Sequence, residues 1–160
     1  MAENSIRFVK IEYGKLTAKQ KELFNFQKIA ATLADFGYNS IKLADDWQGA
    51  DFLAYHLNGK TTLKVQLKSR VTINKKKYGG KDIWIAFPHK KEWYLIEHDK
   101  LVDKVGEHTT WLDNSSWKDR EGYSSISINP ELLASLDENK LGPVYGSLFI
   151  DDDETILSAS

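Results

Sequence analysis

Residues 49–68 read GADFLAYHLNGKTTLKVQLK, and the way this stretch folds decides how the rest of the chain is organised. Asn58-Gly59 sits near its middle. Both residue types accept positive φ at little cost, so the pair is a strong signal for a turn between antiparallel strands. The flanks agree. Residues 51–57 and 61–71 carry strand-like runs, and in the second run Leu63, Val65 and Leu67 alternate with Lys64, Gln66 and Lys68. A period of two sends the first set to one sheet face and the second set to the other. With Leu57 and Lys60 flanking the turn, paired positions sum to about 117, so Asp51 falls opposite Gln66. An acid, an amide and a lysine therefore meet at one end of a hairpin, because a two-residue step returns Lys68 to the face of Gln66.

Upstream, Thr17-Ala18-Lys19-Gln20 reads as a capping box, a hydroxyl at the N-cap and Gln at the third helical position. The helix it opens is expected to run to about Phe36, with Leu23, Phe26, Ala30 and Leu33 as its buried stripe and Gly37 as its stop. Residues 5–13 and 40–44 read as short strands, and Asp45 to Gly49 as a loop. Downstream, residues 74–81 read as a lysine-rich loop. Residues 82–87 and 92–96 are two apolar strands joined around Pro88. A short helix is expected over 99–105 and a strand over 124–128. Asn129-Pro130 opens a last helix to about Leu136, since Asn caps and Pro suits the first turn. The residues after Gly142 look irregular. This order predicts an α+β fold, with a central mixed, mostly antiparallel sheet flanked by an N-terminal and a C-terminal helix. One domain is expected over residues 1–150, followed by an acidic tail over 151–160 that carries Asp151-Asp152-Asp153-Glu154.

Composition narrows the classes of function. The chain has 160 residues, 41% hydrophobic and 28% charged, with a net charge of −1, which suits one globular domain with a real core. There is no cysteine, which rules out disulfide scaffolds, zinc ribbons and cysteine nucleophiles. The opening MAENSIRFVKIEYG has no apolar run of signal-peptide length, and no run approaches a membrane span, so a cytoplasmic protein is expected. His56, His89, His98 and His108 show no HxH or HExxH spacing, and phosphate-loop, dinucleotide and serine-hydrolase motifs are absent. Trp84, Trp93, Trp111 and Trp117 could stack on bases, but tryptophans on strands are more often packing residues. The charge is unevenly placed: residues 60–91 hold ten Lys and Arg against one acid, Asp82. Such a block suggests an anionic partner for one face, with a solvated lysine surface as the plainer alternative.

The sequence Gly49-Ala50-Asp51, a short hairpin, then Gln66-Leu67-Lys68 resembles the PD-(D/E)xK nuclease superfamily in its QxK variant, a group that includes restriction endonuclease-like, homing endonuclease-like and Holliday resolvase-like cores. The resemblance covers roughly residues 17–97 and includes the helix ending at Gly37-Tyr38 and the strands DIWIAF and EWYLI. It implies an α/β/α restriction-endonuclease-like core and a Mg²⁺- or Mn²⁺-dependent endonuclease that hydrolyses phosphodiester bonds in DNA. It makes Asp51, Gln66 and Lys68 the catalytic residues, with the metal on Asp51, the Gln66 carbonyl and the Leu67 backbone carbonyl. The chain departs from the pattern in three places. Ala50 stands where the motif has Pro, Gln66 is neutral, and the slot for a helix glutamate falls near Phe26 or Gln27. Gln27 is the better positional match as an accessory residue, and Glu22, more than one turn earlier, is the other candidate.

The chemistry suits these residue types. Phosphodiester hydrolysis needs an activated water and charge stabilisation at phosphorus, both of which a divalent ion on oxygen ligands supplies. Lys68 would orient the water or stabilise transition-state charge. Arg70, Lys75, Lys76, Lys77 and Lys81 follow the catalytic strand and could contact flanking phosphates, positioning the protein without reading sequence. Cutting both strands of a duplex needs two sites, so a homodimer or homotetramer on double-stranded DNA is expected. Two other readings stay open: a catalytically inactive DNA-binding module on the same fold, favoured by the missing helix acid, and a protein-interaction domain.

Overall fold

The hairpin forms as the turn signal requires, and a six-stranded sheet is built around it. The computed structural model describes residues 5–144. Strands β2 (Ala50–His56) and β3 (Thr62–Leu67) pair antiparallel from Tyr55↔Thr62 to Phe52↔Val65, the register read from the sequence. The turn itself is wider than two residues. His56 N–H donates to the Thr61 carbonyl at 2.8 Å, and Asn58 Oδ1 accepts from the Lys60 and Thr61 amides at 2.8 and 3.2 Å.

Outside this hairpin lies β1 (Tyr38–Trp47), antiparallel to β2. It is twice the expected length and takes in Asp45, Asp46 and Trp47, which the sequence places in a loop. The turn is confined to Gln48 and Gly49, both at positive φ. On the other side, β5 (Ile83–His89) runs parallel to β3, β6 (Glu92–Glu97) antiparallel to β5, and β8 (Lys140–Pro143) antiparallel to β6. The sheet order is β1-β2-β3-β5-β6-β8. A parallel neighbour requires a crossover. Here the connection contains β4 (Val71–Asn74) and the one-turn helix α2 (Lys75–Tyr78), and β4 pairs with β7 (Gly122–Ser125) in a separate two-stranded sheet.

Helix α1 (Ala18–Ala34) starts at the expected capping box. Gln20 N–H donates to Thr17 Oγ1 at 3.2 Å, and Thr17 N–H to Gln20 Oε1 at 2.9 Å. Its buried stripe is rotated from the expected one: Asn25, Ile29 and Leu33 are buried, whereas Leu23 is 46% exposed. Gly37 sits at φ +83°, and a Cβ there would meet His56 Nε2 at 2.9 Å, so only glycine makes this stop. α1 covers one sheet face, over Phe52, Ala54, Val65 and Trp93. The opposite face packs under α3 (His98–His108) and α5 (Pro130–Ser135), with Leu101, Val105 and Leu132 against Ile85 and Ile96. A further short helix, α4 (Ser115–Arg120), precedes β7. Helices on both faces of a mixed, mostly antiparallel sheet agree with the expected α/β/α architecture. Trp93 is fully buried, and Trp84, Trp111 and Trp117 pack against the two cores, which favours packing roles for all four.

Other expectations fail for local reasons. Residues 5–12 carry no regular structure, although Ile6, Phe8, Val9 and Ile11 give them a strand-like pattern; these side chains are 82%, 98%, 81% and 55% exposed. Periodicity marks a segment fit for a sheet but not whether a partner strand is at hand. β3 ends at Leu67, and Val71 belongs to β4. Part of the lysine-rich loop is helix α2. Pro88 lies inside β5 opposite Trp93, and the β5–β6 turn is made by Lys90 and Lys91, both at positive φ. Because the β3 ladder ends opposite Ala86, Pro88 lies beyond the strand that would have needed its N–H. β7 begins two residues before the expected strand, and Gly142 and Pro143 belong to β8. The acidic tail lies outside the described residues. Among those described, no helix is long and apolar enough to cross a membrane.

Candidate active site

The β2–β3 ladder ends at Phe52↔Val65, and the next residue on each strand makes the site. Asp51 Oδ2 bridges the gap. It accepts from the Leu67 backbone N–H at 2.9 Å and from Gln66 Nε2 at 2.8 Å. Sequence register thus becomes side-chain contact: the acid and amide expected to lie opposite one another are hydrogen-bonded. Gln66 is buried, 7% exposed. Its amide nitrogen has to face the carboxylate, because two oxygens would repel, so its Oε1 points elsewhere. That oxygen accepts no hydrogen bond among the described residues. A buried carbonyl oxygen without a donor is costly unless something else satisfies it.

Burial dominates the electrostatics of Asp51. Desolvation pushes its pKa above the usual carboxylate value, and the negative Glu22 pushes the same way. The Leu67 N–H and the positive charges of Lys42 and Lys68 pull back without cancelling the rise. Lys68 leaves the end of β3 with its ammonium 5.7 Å from the centre of the Tyr78 ring. Tyr78 is 3% exposed and closes α2, and a Cβ on Gly49 would meet its ring at 3.1 Å. The β1–β2 turn, α2 and the end of β3 therefore hold one another. Among the described residues Lys68 forms no salt bridge. Lys75, Lys76 and Lys77 are exposed on the same turn that presents Tyr78, so the lysine-rich segment abuts the site. An open hollow of about 490 Å³ lies alongside, lined by Gln48, Lys64, Gly80, Lys81 and Asp82. Arg70 is half-buried just past β3.

The chain is similar in fold to two solved nucleases. One is Hjc, a Holliday junction resolvase from Archaeoglobus fulgidus, at 18% identity and a TM-score of 0.38, matching 47% of this chain and 76% of that one. The other is the bacterial homing endonuclease I-Ssp6803I, at 13% identity and a TM-score of 0.46, matching 78% of this chain and 87% of that one. No protein-family model matches the chain, and no curated protein matches it in sequence. At these levels the likenesses say nothing about chemistry, which rests on the residues themselves.

Both accessory candidates are exposed on α1, and only the charge of Glu22 reaches Asp51. Glu22 acts electrostatically on Asp51 and is ion-paired with Lys42, Oε1 to Nζ 2.8 Å. That pairing lowers its pKa. Counting back from Gly37 favours Gln27, but the helix ends at Ala34, three residues before that glycine. Sequence reasoning also misses Lys42 and Tyr78. Lys42 sits in a segment that reads as an ordinary strand, and Tyr78 in one that reads as a loop.

Could a divalent ion be held here? Among the described residues no three His, Asp or Glu side chains converge. An ion would depend on Asp51, whose Oδ1 accepts no hydrogen bond among the described residues, and on the neutral Gln66 Oε1 beside it. A carboxylate and an amide oxygen are the donor types Mg²⁺ and Mn²⁺ prefer, and an ion would satisfy the orphaned carbonyl. The residues fit the group.

Proposed function

We propose that this chain is a Mg²⁺- or Mn²⁺-dependent endonuclease that hydrolyses phosphodiester bonds in DNA, with Asp51, Gln66 and Lys68 as its catalytic residues. The observation that carries the reading is the buried Gln66 Oε1: it has no partner among the described residues, while its own amide is fixed against Asp51. Asp51 and Gln66, with the Leu67 backbone carbonyl, would hold the ion. When bound, the ion supplies a water activated near neutral pH and charge neutralisation at phosphorus.

The chain's own groups do the rest. The Leu67 N–H and Gln66 Nε2 fix one oxygen of Asp51, so its other oxygen is presented in one orientation. The Tyr78 ring supports the Lys68 ammonium, whose N–H donors neutralise charge on the non-bridging phosphate oxygens and orient the attacking water. Water adds to phosphorus as the P–O bond to the leaving oxygen breaks, and that oxygen takes up a proton. Arg70, Lys75, Lys76, Lys77 and Lys81 grip flanking phosphates and set the register of the strand. A homodimer or homotetramer would present two such sites to a duplex, and the exposed Ile6, Phe8, Val9 and Ile11 offer apolar surface for assembly.

One observation favours the inactive DNA-binding module instead: Glu22, the acid nearest the helix slot, is occupied by Lys42. Supercoiled plasmid with Mg²⁺ or Mn²⁺ separates the two. The nuclease reading expects nicking by the native protein and a loss on the order of 100-fold in Asp51→Asn and in Lys68→Ala. Binding without nicking by the native protein selects the module, and no DNA affinity even at low salt removes both.

A further inference from the structure

Lys42 is absent from the motif that carries the resemblance, yet its place is closely fixed. It lies on β1 opposite Phe52, the residue after Asp51. Paired residues in an antiparallel ladder share a face, and Phe52 packs edge-on against Phe26 of α1 at 5.2 Å between ring centres. Lys42 is therefore on the α1 side, and its ammonium is held there twice, 2.8 Å from Glu22 Oε1 and 5.9 Å from the centre of the Phe26 ring. The side chain is only 21% exposed. Its charge weighs more heavily on Asp51 than that of Lys68 does.

The charge count shows what this arrangement does. Glu22 and Asp51 bring two negative charges, Lys42 and Lys68 two positive ones, and Gln66 none. Two-metal phosphodiesterases place their ions about 3.5–4 Å apart between shared carboxylates. Here the second carboxylate is already taken by an ammonium of the chain itself.

We propose that the Lys42 ammonium, paired with Glu22 at 2.8 Å, keeps that carboxylate from a second cation, so that the site takes one divalent ion and not two. The inference rests on the reading of the site as a metal-dependent nuclease. It makes Lys42 a positioning residue: its ion pair would keep Glu22 from acting as a ligand.

Counting bound Mn²⁺ by electron paramagnetic resonance of the free ion tests this without an activity readout. The native protein should bind one ion and Asp51→Asn none. Lys42→Met and Lys42→Gln, checked for fold by circular dichroism, should each bind two, the first on the order of tenfold more tightly because a neighbouring positive charge is gone. Lys42→Arg, which keeps the cation, should stay at one. Adding Glu22→Gln to Lys42→Met should return the count to one. Two ions in the native protein, or one ion in both neutral variants, overturns the inference and leaves the nuclease reading standing. No Mn²⁺ at Asp51 in the native protein overturns the nuclease reading and the inference with it.

Discussion

Gln66→Glu puts the most pressure on the site, because it changes one atom's chemistry at the point where burial and hydrogen bonding meet. The native amide donates to Asp51 Oδ2 at 2.8 Å in a residue only 7% exposed. In the variant that donor becomes an acceptor, and two carboxylate oxygens face each other away from water. A bond to a charged group, worth about 1.5–3 kcal/mol, is lost, and like charges replace it. Together these should cost about 3 kcal/mol in metal-free buffer, a fall of roughly 6–12 °C in Tm for a chain of this size. The pair can relieve the repulsion by sharing a proton, so its pKa is raised relative to the unfolded chain. Stability is then fully present below the unfolded carboxylate pKa of about 4 and is lost as pH rises through the raised folded value. A divalent ion should reverse the loss, since an ion at about 100 times its Kd adds about 2.7 kcal/mol. Thermal melts across pH, with and without Mg²⁺, measure all three effects. If Gln66→Glu melts like the native protein at every pH, or if Mg²⁺ does not raise its Tm, then Gln66 does not face a cation position and the account of the site fails.

Two further outcomes are expected from other parts of the molecule. Replacing Lys75, Lys76 and Lys77 together with Ala should lower the slope of log K against log salt for duplex DNA by up to about 3, near one unit per lost phosphate contact; an unchanged slope would show that the α2 turn is not part of the footprint. His98 is 1% exposed, its Nε2 accepts the Asn74 N–H at 3.0 Å, and burial lowers its pKa. Its contribution to stability is therefore complete above the unfolded value of about 6.5 and is lost as pH falls below that value and through the lowered folded one. The urea midpoint should drop between about pH 7 and pH 5 by more in the native protein than in His98→Gln, and equal drops would contradict the role given to the neutral imidazole.

The hairpin is legible in the sequence because its signals are local. Asn58-Gly59 marks a turn, the alternation from Leu63 to Lys68 marks two faces, and register comes from both. The same arithmetic brings Asp51 to Gln66. The caps of α1 and α5 are legible for the same reason, since a cap is read over four residues. The features hidden in the sequence are set by distant partners. Residues 5–12 have the alternation of a strand but no described strand beside them, whereas β8 has only four residues and is held in place by β6. The rotation of α1 is easily misread because Phe24 and Phe26 both offer apolar surface, and only packing on Phe52 and Tyr13 decides between them. Lys42 and Tyr78 reach the site from β1 and α2, elements that share no motif spacing with residues 51–68. Counting residues along the chain could not find them.

A crystal of the native protein soaked in Mn²⁺, with anomalous data collected at the manganese edge, tests the central claim most directly. One peak is expected, touching the free oxygen of Asp51 and Gln66 Oε1, with Lys42 still paired to Glu22. No peak within bonding distance of Asp51 at saturating Mn²⁺ would contradict it.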